Sequence, residues 1–278
     1  MSAVTPTRSA VLGWLTEAQV VLDELASTQA DALEQASQWC AEAIAADGLV
    51  HLFGTGHSRI PVEEMFPRYG SYPGFHPMVE LSMTFHTQVV GANGQRQAMA
   101  IERTSGLAEI ILDNFRFGPH DVLIVFSAGG TTAVPIEMAQ GARRRGLRVI
   151  VVTSVQQSRT SEPEPATGKR LLEEADLLID LCSPAADALV DIAGLDTPVG
   201  PASTISAVAI VNCIKVRTAE LLVERGAMPP VITRASVVGA ERSRELFDGA
   251  YREHARRIAR AIGGEATVAG TDREPGGG

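Results

Sequence analysis

The apolar positions of this chain fall into two periods that alternate along its length. From about Ser9 to Ala46, apolar side chains at Val11, Leu12, Leu15, Leu22, Leu25, Leu33, Ala36, Trp39 and Ile44 recur at helical spacing, which predicts one or two amphipathic helices. Asp47-Gly48 closes that segment. The apolar run Leu49 to Phe53 then reads as a strand, and GTGHS (Gly54 to Ser58) leads into a helix near Pro61 to Tyr69. After a less regular stretch from Gly70 to Gly94, a helix is expected from about Leu107 to Phe115. Val122 to Phe126 is unbroken apolar sequence, as suits a parallel strand covered on both faces. A helix follows at Ala133 to Arg145, capped by Gly146, and then a strand at Leu147 to Thr153. The polar run SVQQSRTSEPEPATG is expected to be a loop, mobile or facing a ligand. Leu177 to Leu181 gives another strand, about Ala202 to Arg225 a long helix with an apolar middle, and Glu241 to Ala261 a last helix.

Strands alternating with helices imply right-handed crossovers. The expected fold is therefore α/β, a three-layer doubly wound sandwich with a central parallel sheet of about five strands and an N-terminal helical extension. One domain is expected over residues 1–262, with its core at about 49–225. The tail 263–278, rich in glycine, threonine and charge, is expected to be disordered. Ligands of such sheets sit beyond the carboxyl ends of the strands. GTGHS and SAGGTT (Ser127 to Thr132) both lie at such ends, so one pocket can take both.

Composition narrows the partners. Twenty-four Lys and Arg against 33 Asp and Glu give a net charge of −9, which argues against a nucleic-acid face, since that needs a basic stripe. The basic run RRRGLR at Arg143 to Arg148 closes a helix, where positive charge offsets the helix dipole. Cys40, Cys182 and Cys213 have neither metal nor disulfide spacing, and suit packing in a reducing cytoplasm. The longest apolar stretch, Ile205 to Ile214, is too short to span a bilayer, and the N-terminus lacks a secretion signal. A cytoplasmic protein without membrane association is expected.

The loop after Asp121 carries the clearest chemistry. Gly129 and Gly130 let backbone approach a ligand, and Ser127, Thr131 and Thr132 set hydroxyls beside the free amides of the helix that follows. Pro135 in the first turn gives up no hydrogen bond. This is a phosphate cradle. Ser58 repeats the arrangement after the first strand, although helix capping alone would also put hydroxyls at helix starts. His57, beside it, can shuttle a proton, or simply bond backbone. His76 and His86 lie near Glu80 at no spacing that matches a metal site, and no metal is expected. GTGHSR lacks the third glycine of a dinucleotide fingerprint, so no redox cofactor is expected either.

GTGHS, SAGGTT and the following strand VIVVTS together resemble the SIS (sugar isomerase) domain, over about Leu49 to Arg225. The resemblance implies that Ser58, Ser127 and Thr132 hold the phosphate of a phosphosugar, with Gly129 and Thr131 in the same loop. Gly129 stands where the family usually has a serine, and Thr131 is the nearest substitute. EEMFPRY (Glu63 to Tyr69) is similar to a segment of the phosphoheptose isomerases. By that likeness Glu64 is the catalytic glutamate and Arg68 a substrate contact; the alternative is a surface ion pair at i,i+4. Those isomerases also use a histidine on the long C-terminal helix. Here no histidine lies between His120 and His254, and Asn212 and Lys215 occupy that region, with Cys213 and Lys215 read as packing and as a solvated helix end. Taken whole, the resemblance is closer to a group of uncharacterised bacterial SIS-domain proteins than to any enzyme of known substrate.

The leading expectation is a sugar-phosphate isomerase without a cofactor, in which Glu64 moves a proton through an enediol and His57 assists. Two alternatives stay open: a phosphosugar-binding module without turnover, and a lyase or etherase acting on a phosphorylated amino sugar. The apolar helices at both ends of the fold further imply a homodimer or homotetramer.

Overall fold

A computed structural model describes residues 10–84 and 94–262. His86 and the tail 263–278 lie outside the described residues, so the expectations made for them stand apart from the structure.

Two helices open the chain, α1 (Ala10–Thr28) and α2 (Ala30–Ala45), and the strand β1 (Val50–Gly54) follows. A single 3-10 turn at Gly56–Arg59 runs into α3 (Ile60–Met65), β2 (Phe75–Met78) and the short α4 (Leu81–Thr84). Next come α5 (Gly94–Ile101), α6 (Leu107–Leu112), β3 (Val122–Phe126), α7 (Ala133–Arg144), β4 (Arg148–Thr153), α8 (Val155–Thr160) and β5 (Leu177–Asp180). The long α9 (Ser203–Glu224), the short α10 (Ala235–Val238) and α11 (Ala240–Ile262) complete it.

The five strands pair in parallel in the order β2-β1-β3-β4-β5. Alternation along each strand feeds two cores. Val50, Leu52, Val122, Ile124, Phe126, Ile150 and Val152 face one side and pack with α2, α3 and α9. Phe53, Leu123, Val125, Val149 and Val151 face the other side and pack with α6 and α7. Helices thus cover both faces, as expected. The N-terminal helices are more than an extension, because Ala36, Cys40, Ala41 and Ile44 of α2 are fully part of the first core.

Two local expectations are corrected. The stretch read as irregular holds β2, an edge strand in which Pro77 is tolerated because one side of the strand has no partner among the described residues. The polar loop after β4 begins with the helix α8, whose N-cap Ser154 accepts a bond from Gln157 N. The basic run is also better anchored than a helix dipole requires. Arg143 meets Asp176 at 3.2 Å, Arg145 meets Glu109 at 2.9 Å, and Arg148 meets Glu42 at 2.9 Å.

On α9 the apolar middle did not reveal which side is buried. Lys215 is buried and donates from Nζ to Glu64 O at 2.7 Å, whereas Cys213 is exposed. The solvated lysine and packed cysteine expected there are exchanged. The physical reason is that α3 crosses α9 at Lys215 and supplies a carbonyl acceptor.

Candidate functional site

The order β2-β1-β3-β4-β5 reverses direction between β1 and β3. The chain leaves β1 towards β2 on one side and leaves β3 towards β4 on the other, so the turns beyond these strands diverge and leave a crevice. A cavity of about 470 Å³ lies there. Its lining comes from the turn after β1, the loop after β3, the end of α5, Gln157 of α8 and the start of α9.

Each turn needs a glycine at one position. A Cβ on Gly54 would lie 2.2 Å from the carbonyl oxygen of Ser58, so only glycine lets the turn fold back over the strand end. Gly130 has φ +61°, and a Cβ there would meet Thr153 Oγ1 at 2.9 Å. The loop's own bonds fix its direction. Gly130 N donates to Ser127 Oγ at 3.2 Å, Leu171 N to Gly130 O at 2.8 Å, and Ser154 N to Ala128 O at 3.0 Å. The carbonyls of Ala128 and Gly130 are therefore engaged by the fold. Among the described residues, the amides of Gly129, Thr131 and Thr132 donate to no protein acceptor. Thr132 takes the N-cap backbone of α7 with φ −108° and ψ 148°, but its side chain makes no cap bond. Hydroxyl and amides at the positive end of a twelve-residue helix are thus left for an anion.

The cavity holds no lysine or arginine side chain among its described lining residues. The ionisable side chains there are His57, Glu102 and Asp187. Asp187 is committed to structure. Its Oδ1 accepts from Ala202 N at 3.1 Å and Ser203 N at 2.7 Å, and its Oδ2 accepts from Ser203 Oγ at 2.7 Å, which fixes the start of α9. Glu102 receives one bond, from Thr55 Oγ1 to Oε2 at 2.6 Å. Burial raises its carboxyl above the ordinary carboxylate range, with the Thr55 bond and nearby Arg103 opposing part of that rise. Gln157 adds a buried Oε1 without a hydrogen-bond partner. An unsatisfied acceptor on a cavity wall is a vacancy for a ligand hydroxyl or amine.

The structure brings His57, Ser58, Ser127, Gly129, Thr131 and Thr132 together around this cavity. Glu64 and Arg68 are not among its lining residues. Glu64 instead accepts from Arg68 Nη1 at 2.7 Å, and its Oε1 lies 3.7 Å from Lys215 Nζ and 3.5 Å from Asn212 Nδ2. Three contributors escaped the sequence reading: Thr55, Glu102 and Gln157. Thr55 sat inside a motif already singled out for its serine. Glu102 carries no local signal, for it reaches Thr55 across 47 residues of chain.

A model of the SIS domain family matches residues 13–154. The chain is 32% identical to a UPF0309 protein of Listeria monocytogenes over 233 residues, which cover 84% of this chain and 92% of that one. It is 30% identical to a UPF0309 protein of Geobacillus kaustophilus over 232 residues, covering 84% and 90%. Among solved structures, a phosphoheptose isomerase from Francisella tularensis superposes with a TM-score of 0.50 at 13% identity, covering 77% of this chain and 100% of that one. That last likeness is one of fold.

Proposed function

Because this chain belongs to the SIS domain family and, with its relatives in Listeria and Geobacillus, to the UPF0309 proteins, we propose that it binds a sugar phosphate in the cavity between the ends of β1 and β3. The phosphate occupies the Ser127 to Thr132 loop, held by amides, by the Ser127 and Thr132 hydroxyls and by Ser58 from the facing turn. One observation carries the reading: two hydroxyl-rich turns from neighbouring strands converge on one cavity while the Gly129, Thr131 and Thr132 amides of the second find no acceptor among the described residues. The sugar lies towards Glu102, Gln157 and the start of α9. The reaction is interconversion of an aldose and a ketose phosphate, with a glutamate as base and His57 moving the hydroxyl proton. It needs no redox partner, since one carbon is oxidised as its neighbour is reduced.

The test is thermal stabilisation of the full chain by a panel of five- to seven-carbon sugar phosphates, with inorganic phosphate and the free sugars as controls. A sugar phosphate at one hundred times its Kd adds about 2.7 kcal/mol to stability, a shift of several degrees. Ser127→Ala combined with Thr132→Val should remove most of that shift. No stabilisation by any member would overturn the reading.

A second reading, binding without turnover, draws on the placement of Glu64 in an ion pair outside the cavity lining and on the absence of any histidine from α9. Exchange of solvent deuterium into bound sugar phosphate separates the two. A homodimer or homotetramer is supported by apolar side chains left exposed on α1 (Leu12, Leu15, Val20) and α9 (Val216, Val223). Sedimentation showing only monomer at micromolar concentration would exclude it.

A further inference from the structure

An aldose–ketose interconversion needs one carboxylate that can reach the carbon beside the carbonyl, is not already spent on protein donors, and sits at a fixed distance from the phosphate. Three glutamates and aspartates bear on this choice. Asp187 fails the second condition, with three bonds to the start of α9. Glu64 fails the first, since it lies outside the cavity lining and is paired with Arg68 and Lys215. Glu102 meets all three. It lines the cavity, and its Oε1 has no hydrogen-bond donor among the described residues.

Its distance from the phosphate loop is set by backbone. Glu102 N donates to Ala98 O at 3.0 Å, which continues α5, and Glu102 O accepts from Val134 N at 3.0 Å. Val134 is in the first turn of α7, the helix whose amino end forms the anion cradle. One backbone hydrogen bond therefore couples Glu102 to the element that fixes the phosphate. The side chain is then turned by Thr55, the residue that opens the other turn.

We propose that Glu102 is the catalytic base of this site, a role that rests on the sugar-phosphate reading above. Its carboxylate takes the proton from C2 of the open-chain aldose phosphate. The electrons of that C–H bond form the C1–C2 double bond, and O1 takes a proton as the enediol forms. O2 then gives up its proton and becomes the carbonyl, and the proton held by Glu102 returns to C1. The proton gained by O1 equals the one lost by O2, and His57 carries it. Thr55 is a positioning residue that holds the carboxylate through Oε2 and leaves Oε1 to act.

Titration of this group is governed by its burial, by the Thr55 hydroxyl from the first turn and by Arg103 beside it in sequence, and His57 is a further ionisable residue of the same cavity lining. Burial raises the folded pKa, so the base is active only above a value higher than that of a free glutamate. Turnover should fall on the acid side with a limb displaced upwards. Thr55→Val removes a bond that favours the ionised form, so it should move that limb to still higher pH. A residue acting only in packing would not shift it.

The experiment uses the full chain with ribose 5-phosphate and glucose 6-phosphate in deuterium oxide, following deuterium at C2 by NMR alongside thermal stabilisation by the same probes. Glu102→Gln is expected to keep the stabilisation while exchange falls by about 10²- to 10⁴-fold, the usual worth of a positioned base. Glu64→Gln should lose less and keep the wild-type acid limb. Exchange within fivefold of wild type in Glu102→Gln would overturn the assignment, as would a larger loss in Glu64→Gln or stabilised wild-type protein that exchanges nothing. If neither probe nor the wider sugar-phosphate panel stabilises the wild type, the sugar-phosphate reading itself fails, which is a different result from intact binding with exchange independent of Glu102.

Discussion

The two ends of the same five-stranded sheet carry buried polar groups in opposite conditions. At the amino end, His51 of β1 faces His76 of β2 at 2.8 Å through their Nδ1 atoms, and its Nε2 lies 3.0 Å from Asp121 Oδ2. Asp121 also accepts from Leu49 N at 2.8 Å and Gly118 N at 2.7 Å. Phe115 and Phe117 close around the two rings edge-on. The groups bond one another. At the carboxyl end, among the described residues, the opposite holds: the amides of Gly129, Thr131 and Thr132 are unpaired, the Thr132 hydroxyl caps nothing, Gln157 Oε1 has no partner and Glu102 has an oxygen to spare. Both regions contain a buried or half-buried carboxyl group. What separates Asp121 from Glu102 is satisfaction, and a buried group left unsatisfied costs stability unless a ligand completes it.

The sharpest way to break this contrast is to unmake the closed network. Asp121→Ala leaves Leu49 N, Gly118 N and a ring nitrogen of His51 buried without an acceptor. The expected loss is roughly 4 kcal/mol, each orphaned donor costing about 1–3 kcal/mol with some relaxation. Urea unfolding should show a lower midpoint at unchanged slope, and Asp121→Asn, which keeps one oxygen, should lose less. Sugar-phosphate affinity of the folded fraction should stay within twofold of wild type. A large affinity loss would mean that the two ends are coupled.

Acid should find the same end first. Burial, followed by the neighbouring imidazoles, pushes His76 down from 6.5 to about 3. Its folded value lies below its unfolded one, so between those limits the unfolded chain binds a proton that the fold refuses. Stability contributed this way is complete above about pH 6.5 and is lost as the pH falls towards 3, with a slope of at most about 1.4 kcal/mol per pH unit. His254, also lowered by burial, adds to the wild-type slope in the same direction. Replacing the imidazole isolates its part. Urea midpoints of wild type and His76→Gln at pH 7, 6, 5 and 4 should converge as the pH drops, and parallel curves would show that His76 does not titrate in this range.

The same contrast explains what could be read in the chain before the fold was known. Strands β1, β3, β4 and β5 announce themselves by apolar runs, and the glycine and hydroxyl turns follow directly upon β1 and β3. β2 escaped because FHPM mixes a histidine and a proline into four residues, and His76 is buried only through its bond to His51, 25 residues earlier. Glu102 escaped for a similar reason, as its value lies in Thr55 and Val134, neither of which is near it in sequence. Local chemistry marks the loop proposed to cradle an anion. The group proposed to work beside it is assembled by the crossovers. The pair Glu64–Arg68, fully legible at i,i+4, shows the limit of spacing as a guide, because α3 turns that pair towards α9 and not into the cavity.

The smallest expected effect tests the open end by giving it one more partner. Gly129 has an ordinary negative φ, and a Cβ there would find its nearest neighbour, Gln157 Nε2, at 3.5 Å, which is normal van der Waals contact. Nothing in the loop therefore demands glycine at this position, in contrast to Gly130. Gly129→Ser should fold with a urea midpoint unchanged or slightly raised, since it also restricts the unfolded chain. Its hydroxyl joins those of Ser127 and Thr132 at the amino end of α7, and one added hydrogen bond to an anion is worth about 1 kcal/mol, or roughly fivefold in Kd. Calorimetric titration with the best-binding sugar phosphate should register that gain, whereas inorganic sulfate on the Ser127→Ala background should bind weakly with either residue at position 129. Weaker sugar-phosphate binding in Gly129→Ser at undiminished stability would mean that ligand backbone or phosphate comes closer to Gly129 than a side chain allows, and the cradle would then have to be redrawn around its amide.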